Sequence, residues 1–83
     1  MPISAVEIDA RVADVTVSDV ELEVRLKDGR TVKAPLHWFP RLASASAEAR
    51  RTWEPSAAGL GIHWPLIDED LSIEGLLRSG RRY

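Results

Sequence analysis

A two-layer α+β fold, an antiparallel β-meander of three to four strands covered by two short helices, is predicted for this chain by three observations. The first half alternates apolar and charged residues in strict order. The second half carries apolar residues three or four apart behind serines placed as helix caps. Prolines and glycines, five of each, punctuate the stretches between. Alternation with a period of two is the mark of a strand with one buried face, and spacing of three and four is the mark of a helix.

Eighty-three residues make one domain, residues 1–83, with no room for a second core. The chain is 45% hydrophobic and 29% charged, which excludes both disorder and a membrane-embedded composition. It has no cysteine, so thiol nucleophiles, thiolate metal sites and disulfides are excluded and packing must hold the fold. Met1 to Ala10 is acidic and alternating, unlike a secretory leader, and no apolar run approaches the ~20 residues of a membrane span. A cytoplasmic location is expected. A net charge of −2 gives no general attraction for nucleic acid, although Arg50, Arg51, Arg78, Arg81 and Arg82 could form a local basic patch.

The strongest strand is Val20-Glu21-Leu22-Glu23-Val24-Arg25-Leu26-Lys27, and Thr31-Val32-Lys33-Ala34 resumes the pattern after Asp28-Gly29. Parity selects the turn, because directly opposed residues share a face. A two-residue loop would set Val24 against Lys33. A three-residue loop, Lys27-Asp28-Gly29, pairs Val24 with Val32, Leu22 with Ala34 and Glu23 with Lys33. That loop is a type I turn with a G1 bulge, which places Gly29 in the left-handed region. Upstream, Val6, Ile8, Ala10 and Val12 are apolar at even positions and Ala13, Val15 and Val17 at odd ones, so a bulge or break belongs near Val12-Ala13. Ser18-Asp19 turns the chain into the hairpin.

Pro35 and Pro40 bracket Leu36-His37-Trp38-Phe39, a crossing segment between sheet and helix. Ser46 is the expected cap of a helix reaching to about Trp53, with Glu48 in its first turn, Arg50 and Arg51 in its last, and Pro55 stopping it. Leu42, Ala45, Ala49 and Trp53 form its inward face. Gly59 to Trp64 reads as a return strand ended by Pro65. Asp68-Glu69-Asp70 reads as a solvated loop. Ser72 or Asp70 caps a last short helix bearing Ile73, Leu76 and Leu77, Gly80 closes it, and Arg81-Arg82-Tyr83 is expected to fray.

Few groups suggest chemistry. His63 with Asp68 or Asp70 could form a base–carboxylate pair, but the spacing fits no metal motif, and a partly exposed structural histidine is the plainer reading. The acidic run lacks the glycine and spaced oxygens of a calcium loop. Gly59-Leu60-Gly61 precedes a strand rather than opening a helix, and no lysine follows at phosphate-loop spacing. Serines 44, 46, 56 and 72 have no general base nearby in sequence. No catalytic residue, cofactor or metal is therefore expected, and the chain is not read as an enzyme. Three tryptophans are informative: Trp53 and Trp64 are expected in the core, whereas Trp38 and Phe39 suit core and interface equally.

The string from Pro35 to Leu42, then Arg50, then Gly61-Ile62-His63-Trp64-Pro65-Leu66-Ile67-Asp68-Glu69-Asp70-Leu71-Ser72 with Leu76-Leu77, resembles the bacterial domain-of-unknown-function 2442 family, as does the Asp28-Gly29-Arg30 turn. The resemblance spans nearly the whole chain. It implies a compact two-layer α+β domain in a bacterium. It further implies a gene neighbouring that of a second small protein, similar to toxin–antitoxin pairs. Members with an appended helix-turn-helix exist; this chain has no space for one, so direct DNA recognition is not expected. No catalytic residue carries over.

The functional expectation is a small cytoplasmic protein-binding module, the antitoxin-like partner of an adjacent small toxin-like protein. Its expected contact residues are Trp38, Phe39, Arg41, His63, Asp68 and Asp70, or else the open edge of the sheet. A homodimer is a second expectation, for so small a chain with an unpaired edge. The rival is a small ligand-binding protein or enzyme using His63 with Asp68 or Asp70. A third reading, nucleic-acid binding through Arg78, Arg81 and Arg82, would show as salt-dependent association.

Overall fold

The computed structural model describes residues 7–82. Three strands, β1 (Val12–Val17), β2 (Glu21–Leu26) and β3 (Thr31–Pro35), form the expected antiparallel meander. The hairpin register follows parity: Leu22 opposes Ala34, Glu23 opposes Lys33 and Val24 opposes Val32. Gly29 has φ +96°, its N–H donates to Leu26 at 3.0 Å, and Leu26 N–H donates to Arg30 at 2.8 Å, closing the three-residue loop. The parity slip upstream is a bulge, with the β1–β2 register shifting between Val12 and Asp14, so that Val12 and Val15 both face the core. The even-numbered alternation before it does not continue as strand: residues 7–10 take no regular structure and Ile8 is exposed. The Val6 expectation lies outside the described residues. Val20 also departs from its pattern, turning into solvent at the β1–β2 corner.

After β3 a 3-10 turn (Leu36–Trp38) leads to α1 (Pro40–Ala43) and α2 (Ala47–Arg51). Ser46 caps α2, its hydroxyl accepting from Ala49 N–H at 3.1 Å. The helix ends at Arg51 rather than Trp53, and Pro55 does not stop it. Pro55 lies instead in β4 (Glu54–Ser56), an edge strand, where a missing N–H is tolerated. A left-handed turn follows, with Ala57, Ala58 and Gly59 at φ +50°, +57° and +90°.

The second half then departs from expectation by forming its own sheet. β5 (Gly61–Trp64) pairs with β4 on one side and β6 (Glu69–Ser72) on the other. The acidic run is thus not a loop: Glu69 and Asp70 belong to β6, and only Asp68 remains in the turn. α3 (Ile73–Ser79) is capped by Ser72, which accepts from Gly75 N–H at 3.0 Å. Gly80 closes α3 without a positive φ. A Cβ there would stand 2.7 Å from Val32 Cγ1 and 2.8 Å from the Leu76 carbonyl oxygen, so only glycine passes. Arg81 and Arg82 do not fray: they form β7 (Arg81–Arg82), which pairs with β3 and gives the first sheet the order β1-β2-β3-β7, while Tyr83 lies outside the described residues.

The two sheets and the helices share one core. Leu22, Val24, Leu26, Val32 and Ala34 from the first sheet pack in a single cluster with Leu36, Leu42, Ile62, Trp64, Ile73 and Leu76. Each fully buried aliphatic side chain contributes about 1.5–3 kcal/mol by leaving water, which an 83-residue chain without disulfides requires. No described helix is long and apolar enough to cross a membrane.

Candidate functional site

Buried Leu36 anchors the crossing segment, and the Phe39 N–H returns to its carbonyl at 2.9 Å. This tight turn throws Trp38 outward. Phe39 is half-buried against the core, and Trp38 remains 45% exposed, standing edge-on to Phe39 with ring centroids 6.5 Å apart. Phe39 thus packs against the core, and Trp38 stands at the surface above it.

From α1, Arg41 donates through Nη1 to the Asp68 carbonyl oxygen at 2.7 Å. The bond ties the crossing segment to the β5–β6 turn. Asp68 sits there at φ +51°, a conformation that aspartate tolerates better than most residues, and Leu66 of the same turn is 57% exposed. Among the described residues no hydrogen bond or ion pair engages the Asp68 carboxylate.

Antiparallel pairing places His63 of β5 opposite Asp70 of β6, and His63 Nδ1 lies 2.9 Å from Asp70 Oδ1. The carboxylate favours the proton on Nδ1, leaving Nε2 to accept. The structure thus joins His63 to Asp70 and not to Asp68. The pair lies on the outer face of the second sheet, in line with exposed Glu54 on β4, and the Asp70 side chain is 67% exposed. The His63 side chain is 25% exposed, so the pair has one covered and one open member. Among the described residues no group of three His, Asp or Glu side chains could hold a metal ion.

Trp64 is fully buried, its indole N–H donating to the Arg50 carbonyl at 3.2 Å, and Trp53 packs against the core. Serines 46 and 72 are engaged as caps, and Ser44 donates to the Pro40 carbonyl at 2.9 Å. The sequence placed Arg50 at a helix end, in a local basic patch and in the family-like string, but none of these pointed to its structural role. Its guanidinium, largely buried, binds the Leu42 carbonyl at 3.0 Å, the Ala43 carbonyl at 2.9 Å and the Asp19 carboxylate at 3.0 Å, locking α1, α2 and the β1–β2 corner together. The run of chain between Leu42 and Arg50 was the available signal, since carbonyls at a broken helix end need donors. Arg78 is paired with Glu74 at 2.8 Å.

No curated protein matches this chain. The crystal structure of a protein of unknown function from Rhodospirillum rubrum ATCC 11170 is similar, at 31% identity and a TM-score of 0.68, covering 82% of this chain and 84% of that one. The model of the family described as "Protein of unknown function (DUF2442)" matches residues 12–82. The likeness noted in the Pro35–Leu42 and Gly61–Ser72 strings thus holds over nearly the whole folded chain, and the protein belongs to the DUF2442 family.

Proposed function

We propose that the chain is a cytoplasmic protein-binding module, the antitoxin-like half of a pair whose other half is the small protein encoded beside it. One observation carries the reading: Trp38 stands exposed on a rigid base, with Phe39 edge-on beneath it and Arg41 clamped to the Asp68 carbonyl. Tryptophan and arginine on pre-organised backbone are the residues that dominate protein interfaces, because little side-chain freedom is lost on binding. Exposed Leu66, on the turn held by Arg41, and the unengaged Asp68 carboxylate supply an apolar contact and a negative charge for a basic partner. Co-expression with the tagged neighbouring gene product tests it. The two should co-purify, and Trp38→Ala should release the chain; failure of the wild-type pair to co-purify removes the reading.

A second reading, a small ligand-binding protein or enzyme, is supported by the 2.9 Å contact of His63 with Asp70. A ligand held there would raise the melting temperature of the wild type and not of His63→Ala. If no compound of a broad metabolite panel separates the two proteins, the reading fails.

A further inference from the structure

β1 is the end strand of the first sheet, and among the described residues no strand pairs with its far side. The Ser18 N–H donates to the Glu21 carbonyl at 3.0 Å, so Ser18, and with it Thr16 and Asp14, turn their peptide groups toward β2. By alternation Val15 and Val17 turn theirs outward, while Ala13 sits in the bulge. The Val15 N–H has an acceptor, but an improvised one: Asp14 Oδ1 at 2.9 Å. That oxygen stands where the carbonyl of a neighbouring strand would stand. Should it be displaced, Arg25 Nη2 already lies 3.8 Å from the other carboxylate oxygen of Asp14.

Beside this edge runs a groove of about 640 Å³, lined by β1, the Ser18-Asp19 corner, Ala47, Arg50 and Arg51. A strand laid on the edge would send every second side chain into it. Of the two cations in its wall, Arg50 is committed to Leu42, Ala43 and Asp19. Arg51 is exposed, and no described residue bonds to its side chain.

We propose that the β1 edge and its groove form a strand-addition site for an extended segment of a partner protein, with an acidic side chain directed at Arg51. A second copy of this chain fits less well. On antiparallel self-pairing, β1 would present Val15 and Val17 to the groove, while its Asp14 lies on the opposite face and brings no carboxylate to Arg51. The inference rests on the reading of the chain as a protein-binding module but uses a surface separate from Trp38.

The test is selection of a random ten-residue peptide library displayed on phage against the purified full chain. Enriched peptides should alternate β-branched residues and carry Asp or Glu on one face. Val17→Pro removes an outward N–H without touching the β2 ladder, and Arg51→Glu reverses the free charge; each should lower affinity at least about tenfold. Selection against Arg51→Glu should return Lys or Arg in place of the acid. A circular-dichroism melt confirms folding of both variants, and Arg51→Glu decides the matter if Val17→Pro does not fold. No enrichment, or peptides indifferent to Arg51→Glu, overturns the proposal. So does a wild-type dimer in sedimentation that Arg51→Glu leaves intact and Val17→Pro dissociates, because the occupant is then a second copy. Peptide binding lost in these variants while the neighbouring gene product still co-purifies through Trp38 would uphold both surfaces; co-purification without any peptide selection would leave only the Trp38 reading.

Discussion

Asp28 carries more of the fold than its place in a turn suggests. Its side chain is 2% exposed, pairs with Arg30 at 2.8 Å, and accepts from the Asp9 and Arg30 N–H groups at 3.0 and 3.1 Å. The Arg30 side chain holds its carboxyl at about 2, below the ordinary 3.8, against a smaller opposing effect of desolvation. Asp9 is likewise lowered to about 2 by the Arg11 side chain and N–H. Because both folded-state values lie below the unfolded one, the unfolded chain binds protons more readily. Their contribution is complete above pH 3.8 and is lost as pH falls through about 2. Chemical denaturation across pH 2–5 should show stability rising with pH in that window, and Asp28→Asn should flatten the rise. Arg50 is the second such residue: Arg50→Lys keeps the charge but loses the planar fork on two carbonyls, and should cost about 1–3 kcal/mol in urea denaturation.

At the scale of elements, local rules explain what could be read in advance. Opposed residues must share a face, so Val24 could pair with Val32 only through a three-residue loop, and it does. The caps were equally legible; Ser46→Ala or Ser72→Ala should each cost about 1 kcal/mol in thermal melts. The second sheet was not legible, for a physical reason. β6 is an edge strand with no fully buried residue, and β4 holds three residues including Pro55, so neither needs the alternation that core burial imposes. Without β6 placed, nothing ranked Asp70 above Asp68 as the neighbour of His63, and the Arg41 bond to the Asp68 carbonyl had no sequence signal at all. The turn before β5 hides in the same way: Ala58 at φ +57° breaks the rule that favours glycine there. Ala58→Gly should therefore raise stability, by up to about 1 kcal/mol, where most glycine substitutions lower it.

At the scale of the whole molecule, two sheets in an 83-residue chain are held as one unit by Ile62 and Trp64, both fully buried among side chains of the first sheet. Trp64→Ala should cost about 3–5 kcal/mol, a large share of the 5–15 kcal/mol typical of a domain, and should lower a single unfolding transition rather than split it in two. The same packing leaves Trp38 outside, where removing it should cost the fold little. Binding and stability ought then to separate, and isothermal titration of the neighbouring gene product into the wild type, Trp38→Ala and Arg78→Ala, with melting temperatures taken alongside, tests this most directly. The account predicts at least about a tenfold weaker affinity for Trp38→Ala at nearly unchanged melting temperature, with Arg78→Ala binding as the wild type does. Wild-type affinity in Trp38→Ala, or a loss of binding that merely follows a loss of folding, would contradict it.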